Sequence, residues 1–447
     1  MSATLIAVPE ARDSKGSRRE EIAWAMYDWA SSAWSTLQIT IAVYYVATVV
    51  LPGAAGSYVY GFGISVSMFI AAVTSPLVGA LADARANKRT WLIGTTVLGA
   101  GSAALMGMTP LALPWLIAVF YFLACLGFEL SWGIYNGFLP EIADDRTMNR
   151  VSAWGFAFGY VGGGLALLLA IFVLKFGHYV GLPNAADDPS VHLRLGMILL
   201  GAWWGLFSLP TLLILRDKQR PLTGALPVVQ QTKAAFRQVL VTLRNVRQYK
   251  ILALFLLGFL FYNDGMQTVI TQASLFAERE LKMTASDLAM VILMVQFVSL
   301  PGALLVGKLS DWIGPKTTLH LNLAVWVSLL IYAYFVTTKL EFWIMAAILA
   351  LVMGGAQSVS RAIMGFMTPE PHAAEFMGFF NLSGRAASTL GPALFVTTMN
   401  LTASAHVAIT SLLVFFVIGW LLVLPVNVKK GQAQAQQAAL RTKQPAV

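Results

Sequence analysis

Carboxylates are scarce in the apolar parts of this chain, and their spacing shows what they could do. Asp28 lies inside an apolar run that starts near Ile22 and continues to Val50. At about 100° per residue, Asp28, Ser31, Ser32, Ser35 and Gln38 form one stripe about a third of the helix circumference wide. A carboxylate facing lipid costs roughly 2.5–3.5 kcal/mol even on a lenient insertion scale, so the stripe must face protein or a wet cavity. Two chemistries fit: a carboxyl that caps or packs one end of the helix, or one that lines a solute or proton path. The stripe then recurs. Asp264, Gln267, Thr268, Thr271 and Ser274 repeat its spacing, with Asn263 alongside.

Glu129 is the other strong intramembrane carboxylate, in a run that also holds Trp132, Tyr135 and Asn136. It reads either as a helix-packing carboxyl or as a proton carrier. Arg361 and Arg385 are cations in apolar runs, and each needs a carboxylate, carbonyls or an anionic solute as partner. Asn381, Ser383 and Ser388 polarise the surroundings of Arg385 and make it the better pathway candidate. Arg361, nearer the end of its run, reads as a gate residue.

The composition shows what must position these groups. Of 447 residues, 57% are hydrophobic and only 11% charged, and the mean hydropathy is +0.70. Soluble domains run near 25% charged, so the deficit points to a bundle of membrane-spanning helices. Twelve apolar runs can be read, giving an all-α membrane protein with two six-helix halves. The expected boundaries are an N-terminal segment over 1–21, a first bundle over 22–216, a linker over 217–248, a second bundle over 249–427 and a tail over 428–447. The polar start and the length of the first run argue against a cleavable signal peptide. In the linker, Arg237, Arg244 and Arg247 surround short apolar patches, the pattern of an amphipathic helix at the interface.

With both ends on one side, twenty-three of the 30 Lys and Arg residues fall on or beside that side. This is the positive-inside pattern, and it puts both termini in the cytoplasm. The basic excess is therefore topological, and no nucleic-acid partner is expected. A lone Cys125 excludes an internal disulfide framework and a cysteine metal cluster. With no Walker loop, nucleophile elbow or zinc-ligand spacing, the sequence predicts no enzyme activity and no cofactor beyond a coupling ion, H+ or Na+.

The two halves are related. Gly79-Ala-Leu-Ala-Asp83 returns as Gly307-Lys-Leu-Ser-Asp311, and Pro140-Glu141 returns as Pro369-Glu370, at offsets of 228 and 229. Gly155 and Gly162 match Gly384 and Gly391, again at 229. Parallel repeats of this kind are what a two-bundle transporter requires. Gly79 and Gly307 let helices approach closely, while Asp83 and Asp311 can accept hydrogen bonds at a neighbouring helix N-terminus. Together with Arg85, Glu141, Arg150, Glu370 and Arg361 they form an expected cytoplasmic gate layer; the alternative is a set of solvated turns.

These residues resemble a known family. The Gly-x-Leu-x-Asp repeats are similar to the loop signature of the major facilitator superfamily. Trp24-Ala-Met-Tyr-Asp28-Trp, Leu139-Pro-Glu141, Phe261-Tyr-Asn-Asp264-Gly, Gln357-x-x-Ser-Arg361 and Asn381-Leu-Ser-Gly-Arg385 resemble one branch of it. That branch groups bacterial permeases with the fungal vacuolar amino-acid effluxer of autophagy. The sequence departs from the superfamily at Ala84 and Ala86, where Arg and Gly are usual, and at Arg385, where lysine is expected.

The resemblance implies a secondary transporter in a bacterial cytoplasmic membrane, acting as a monomer on a small polar organic solute such as an amino acid, with export as one direction. The expected pathway is Asp28, Ser32, Ser35, Gln38, Glu129, Asn263, Asp264, Gln267, Thr271 and Arg385. Two other readings are a lipid or amphiphile flippase of the same fold, and a non-transporting sensor or scaffold.

Overall fold

Ser17 marks where the polar N-terminal segment gives way to helix. Its hydroxyl accepts the Glu20 N–H at 3.3 Å, and the Glu20 carboxylate accepts the Ser17 N–H at 2.8 Å. This reciprocal cap satisfies two donors that the first helical turn leaves orphaned. In the computed structural model, which describes residues 15–184, 188–219, 228–244, 246–386 and 390–443, the capped helix α1 runs Arg18–Val50. It passes through π-helical turns at Gln38–Ala42 and Tyr45–Val50. Residues 1–14 of the expected N-terminal segment lie outside the described residues.

The remaining helices follow with short connections: α2 Ala54–Arg85, α3 Lys88–Met108, α4 Pro114–Gly137, α5 Met148–Phe176 and α6 Ser190–Ile214. After a linker helix, Val228–Arg244, come α7 Lys250–Leu281, α8 Ala285–Ile313, α9 Pro315–Ala333 and α10 Lys339–Phe366. We call the pair Ala373–Ala386 and Leu390–Thr402 α11, and Ala405–Val423 α12. A tail helix, Val428–Lys443, completes the described chain. The turns carry local signals. Thr284 and Thr338 cap α8 and α10 with the same reciprocal arrangement as Ser17. Between α8 and α9, Gly314 adopts φ +88°, a left-handed value that favours glycine, and Pro315 opens α9.

Among the described residues, ten helices are long and apolar enough to cross a membrane. Helix α9 and the two parts of α11 occupy the places of the other two apolar runs. Large apolar side chains such as Phe62, Phe69, Leu213 and Leu305 are exposed along the helix flanks. That would be untenable in water and is what a lipid-facing surface requires.

The buried apolar residues fall into clusters that respect the sequence halves. One draws only on residues 252–426. The other two draw on residues 24–215, with Ala362 the sole addition from the second half. Four packings join the halves: α2 on α11, α4 on α11, α5 on α8, and α5 on α10. These four seams frame the groups described next, some of which also reach across to α1.

Candidate functional site

The polar stripe of α1 meets the second half through one ion pair. Arg361, on α10, is fully buried and donates to Asp28 at 3.0 Å. The same carboxylate oxygen accepts the Tyr135 hydroxyl at 3.0 Å. The rest of the guanidinium is also satisfied, by the Ser152 carbonyl at 2.8 Å, the Ser152 hydroxyl at 3.1 Å and the Asn136 side chain at 3.3 Å. Aromatic faces close around it, with the Phe156 and Trp24 rings centred 4.2 and 4.7 Å away. A buried arginine survives only with this degree of pairing. Gly155 makes room for it, since a Cβ there would land against the Asp28 carboxylate, the guanidinium and the Trp24 ring.

A second cross-half pair lies beside the first. Glu129 of α4 and Arg385 of α11 meet at 3.0 Å, Glu129 nearly buried and Arg385 one-fifth exposed. Asn381 ties the same region together, donating to Ser75 and to the Glu129 carbonyl at 2.9 and 3.2 Å.

Both pairs bound a central cavity of about 790 Å³. Asp28, Glu129, Arg385 and Gln357 line one end, while Phe276, Leu288, Phe342 and Ile409 line it towards the opposite end of the helices. Its middle carries Gln38, Gln267 and Gln296 among aromatic rings. Gln296 crosses between the halves to donate to Thr36 at 2.6 Å. The stretch of α1 at Gln38 and Ile39, where the helix widens into π turns, forms part of the wall. π-Bulges often mark functional positions in helices.

Beyond the Asp28–Glu129 end, the cavity is shut off by two related contacts. Asp83, at the end of α2, accepts the backbone N–H groups of Ala374 and Glu375 at 3.2 and 2.9 Å, capping the N-terminus of α11. Asp311, at the end of α8, accepts the Asn149 side chain at 3.0 Å at the start of α5. Each sits where a carboxylate meets the positive end of a helix from the other half. Gly79 and Gly307 permit these approaches: a Cβ on Gly79 would strike the Ala374 backbone, and one on Gly307 the Ala153 side chain.

Behind Asp83, buried Lys88 lies 3.2 Å from that carboxylate and 2.7 Å from Glu141. Arg150 pairs with Glu21 at 3.0 Å, and Lys15 pairs with Glu370. Arg85 is half-buried in the last turn of α2. His372, in the turn before α11, stands 3.3 Å from Glu375. Burial pulls its imidazolium towards losing the proton, but Glu375 and Asp83 outweigh that and raise its pKa above 6.5.

Nine of the ten residues expected on the pathway line this cavity: Asp28, Ser32, Ser35, Gln38, Glu129, Asn263, Gln267, Thr271 and Arg385. Asp264 does not. Its carboxylate turns to α11 and accepts the Gly391 N–H at 2.8 Å. Asp264 and Thr268 form the side of the stripe that faces Gly391 of α11, while Gln267, Thr271 and Ser274 face the cavity.

Arg361 also departs from expectation, lying at the cavity floor against Asp28 instead of in the gate layer, because its long side chain reaches α1, α4 and α5. Lys88 reads from sequence as a cation of the turn after Asp83, and the structure makes it a buried hub joining Asp83 to Glu141. The available signal was a lysine opening a helix five residues after an aspartate that needs a partner.

A central cavity bounded by ion pairs between two sequence-related halves, shut at one end by a carboxylate from each half set against the start of a helix of the other, is the arrangement of a major facilitator superfamily transporter. Solved structures agree on the fold. The chain superposes on the superfamily transporter FucP in its outward conformation with a TM-score of 0.70 at 14% identity, covering 92% of this chain and 99% of that one. It superposes on the proton:xylose symporter XylE with a TM-score of 0.69 at 13% identity, covering 94% and 97%.

Sequence narrows the class. The family described as "Vacuole effluxer Atg22 like" matches residues 44–436, and the chain belongs to it. The uncharacterized MFS-type transporter YxiO of Bacillus subtilis is 33% identical over 407 residues, 90% of this chain and 93% of that protein. Autophagy-related protein 22 of Yarrowia lipolytica is 26% identical over 347 residues, 70% of this chain, which spans only 57% of that longer protein.

Proposed function

We propose that this transporter moves a small zwitterionic solute, of the amino-acid type, across a bacterial cytoplasmic membrane by alternating access and with H+ or Na+ as the coupling ion. The observation that carries the reading is the Glu129–Arg385 pair, which bounds the cavity with Arg385 one-fifth exposed. A bound carboxylate can take hydrogen bonds from the Arg385 guanidinium, and a bound ammonium can donate to Glu129. The polar residues of α1 and α7 supply further donors and acceptors. The moving bodies are residues 22–216 and 249–427, acting within one monomer. The Lys/Arg asymmetry supports cytoplasmic termini. Efflux is the direction suggested by the family description.

The test begins with a thermal-shift screen of metabolites on the purified protein, followed by flux in vesicles. Zwitterions should stabilise the wild-type protein, and Arg385→Gln should weaken their binding at least about tenfold, as loss of a charge-assisted contact worth about 1.5–3 kcal/mol requires. Stabilisation and flux confined to uncharged or lipid-like compounds would overturn the proposal. A lipid-like amphiphile is the second reading, because the cavity away from its floor is walled largely by Trp326, Leu329, Leu330, Phe342 and Leu349.

A further inference from the structure

The linker helix Val228–Arg244 plays no part in the cavity, yet its surface has a marked composition. It packs against α2, buries Ala235 and Thr242, and carries no acidic residue along its length. Away from α2, Phe236 is 54% exposed and Leu240 37%. Lys233, Arg237 and Arg244 are exposed with them. At about 100° per residue these five side chains share an arc of about 100°, while Ala235 and Thr242 fall on the opposite side. An exposed phenylalanine and leucine beside three cations suit neither bare water nor a purely polar partner.

We infer that this face of the linker helix is a docking surface for the bilayer itself, and that the occupant is an anionic phospholipid headgroup layer. Charge complementarity supports this choice. Three cations on a helix with no acidic residue match a negative surface, and the two apolar side chains fit the headgroup–acyl boundary. Position supports it as well. Helix α2, on whose end the linker helix packs, exposes Phe69 and Val73 in its middle, so the linker helix lies at the foot of a lipid-facing flank. An acidic protein or a nucleic acid would engage the cations but leave Phe236 and Leu240 in water. The opposite side of the helix reaches the closed seam, where Thr242 donates to Glu375 of α11 at 2.6 Å. The surface therefore fastens the seam's surroundings to the membrane.

The experiment uses the full chain with Cys125→Ala and Leu240→Cys, labelled with an environment-sensitive fluorophore and reconstituted in phosphatidylcholine vesicles. Brominated phosphatidylglycerol and brominated phosphatidylcholine are added in turn as quenchers, and the ratio of their association constants is read. A juxtamembrane cation is worth roughly a five-fold preference, so three give on the order of a hundred-fold preference for phosphatidylglycerol. The Lys233→Gln, Arg237→Gln, Arg244→Gln triple variant should bring that ratio close to one. On the protein with its three cations intact, 1 M salt should reduce the ratio without any variant. Equal quenching by both lipids, or no quenching by either, overturns the inference. Protection of the fluorophore by an added soluble polyanion, in the absence of lipid quenching, would overturn it too and give the face to a soluble partner.

Discussion

Removing the carboxylate of Asp28 is the sharpest perturbation the structure offers. Asp28→Ala leaves the Arg361 guanidinium buried with the two Ser152 contacts, Asn136 and its aromatic neighbours, but without a counter-charge. Taking one partner from a buried ion pair costs about 3–5 kcal/mol. The surviving hydrogen bonds and rings keep the loss near the lower figure. Because the pair joins α1 to α10, that energy is lost only while the halves meet at the closed end. About 3 kcal/mol corresponds to a factor of roughly 150 in the balance between closed and open forms.

Spin labels at Arg146 and Trp312, in a Cys125→Ala background, read the separation across the α5–α8 seam by double electron–electron resonance. The protein with Asp28 intact should give one short distance, and Asp28→Ala should add a longer population. The Asp28→Leu, Arg361→Met pair should recover the short distance, since a packed apolar replacement removes both charges together. If Asp28→Ala keeps the short distance alone, with an unchanged melting temperature, the ion pair does not hold the seam and the reasoning fails.

Four further outcomes are expected. Asp83→Asn should weaken the closed end by about 1 kcal/mol, the scale of a helix cap, and Asp311→Asn by about as much, the scale of one hydrogen bond, and the same spin-label distances report it; identical distance distributions in both variants would remove the gating role. His372 holds its proton more tightly in the folded protein, so its stabilising effect is full below pH 6.5 and fades as pH rises through the raised value; seam opening followed from pH 6 to 9 should show this trend, and His372→Gln should flatten it. Gly155→Ala should destabilise by about 1–3 kcal/mol through overpacking against the Asp28–Arg361 pair, measured as a fall in melting temperature, whereas Gly94→Ala, with open space around it, should not. Asp264→Asn should leave solute affinity within about twofold, because an amide oxygen can still accept the Gly391 N–H and the group lies off the cavity; a tenfold change in a binding titration would return Asp264 to the pathway.

Much of this arrangement could be read from residue types alone. Asp28 and Glu129 stand out because a carboxylate in an apolar run must be accounted for, and Asp83 and Asp311 because their surroundings repeat at one offset. What could not be read was partnership. Nothing local says that Asp28 meets a residue 333 positions later, and counting depth along α10 put Arg361 one layer too far out because an arginine side chain can travel several ångströms from its Cα. Asp264 shows the reverse problem. Its spacing matches the Asp28 stripe, yet the deciding contact is a backbone N–H on α11, which no side-chain pattern announces. Lys88 reads from sequence as one more turn cation after Asp83, because a lysine at a helix start counts as solvated until a neighbouring helix buries it.

The two cross-half pairs at the cavity floor carry a consequence for solvent. While the halves are together, two cations and two anions pair directly, and three of the four groups are buried. When the halves part, four charged groups lose their partners, and each must be hydrated, since an unpaired charge in a dry interior is prohibitively unfavourable. Opening is therefore a water-uptake reaction, and its equilibrium depends on the activity of water. A large, excluded osmolyte that lowers water activity should hold the protein shut, with a slope that counts the molecules taken up. A molecule lacking both pairs should lose most of that dependence.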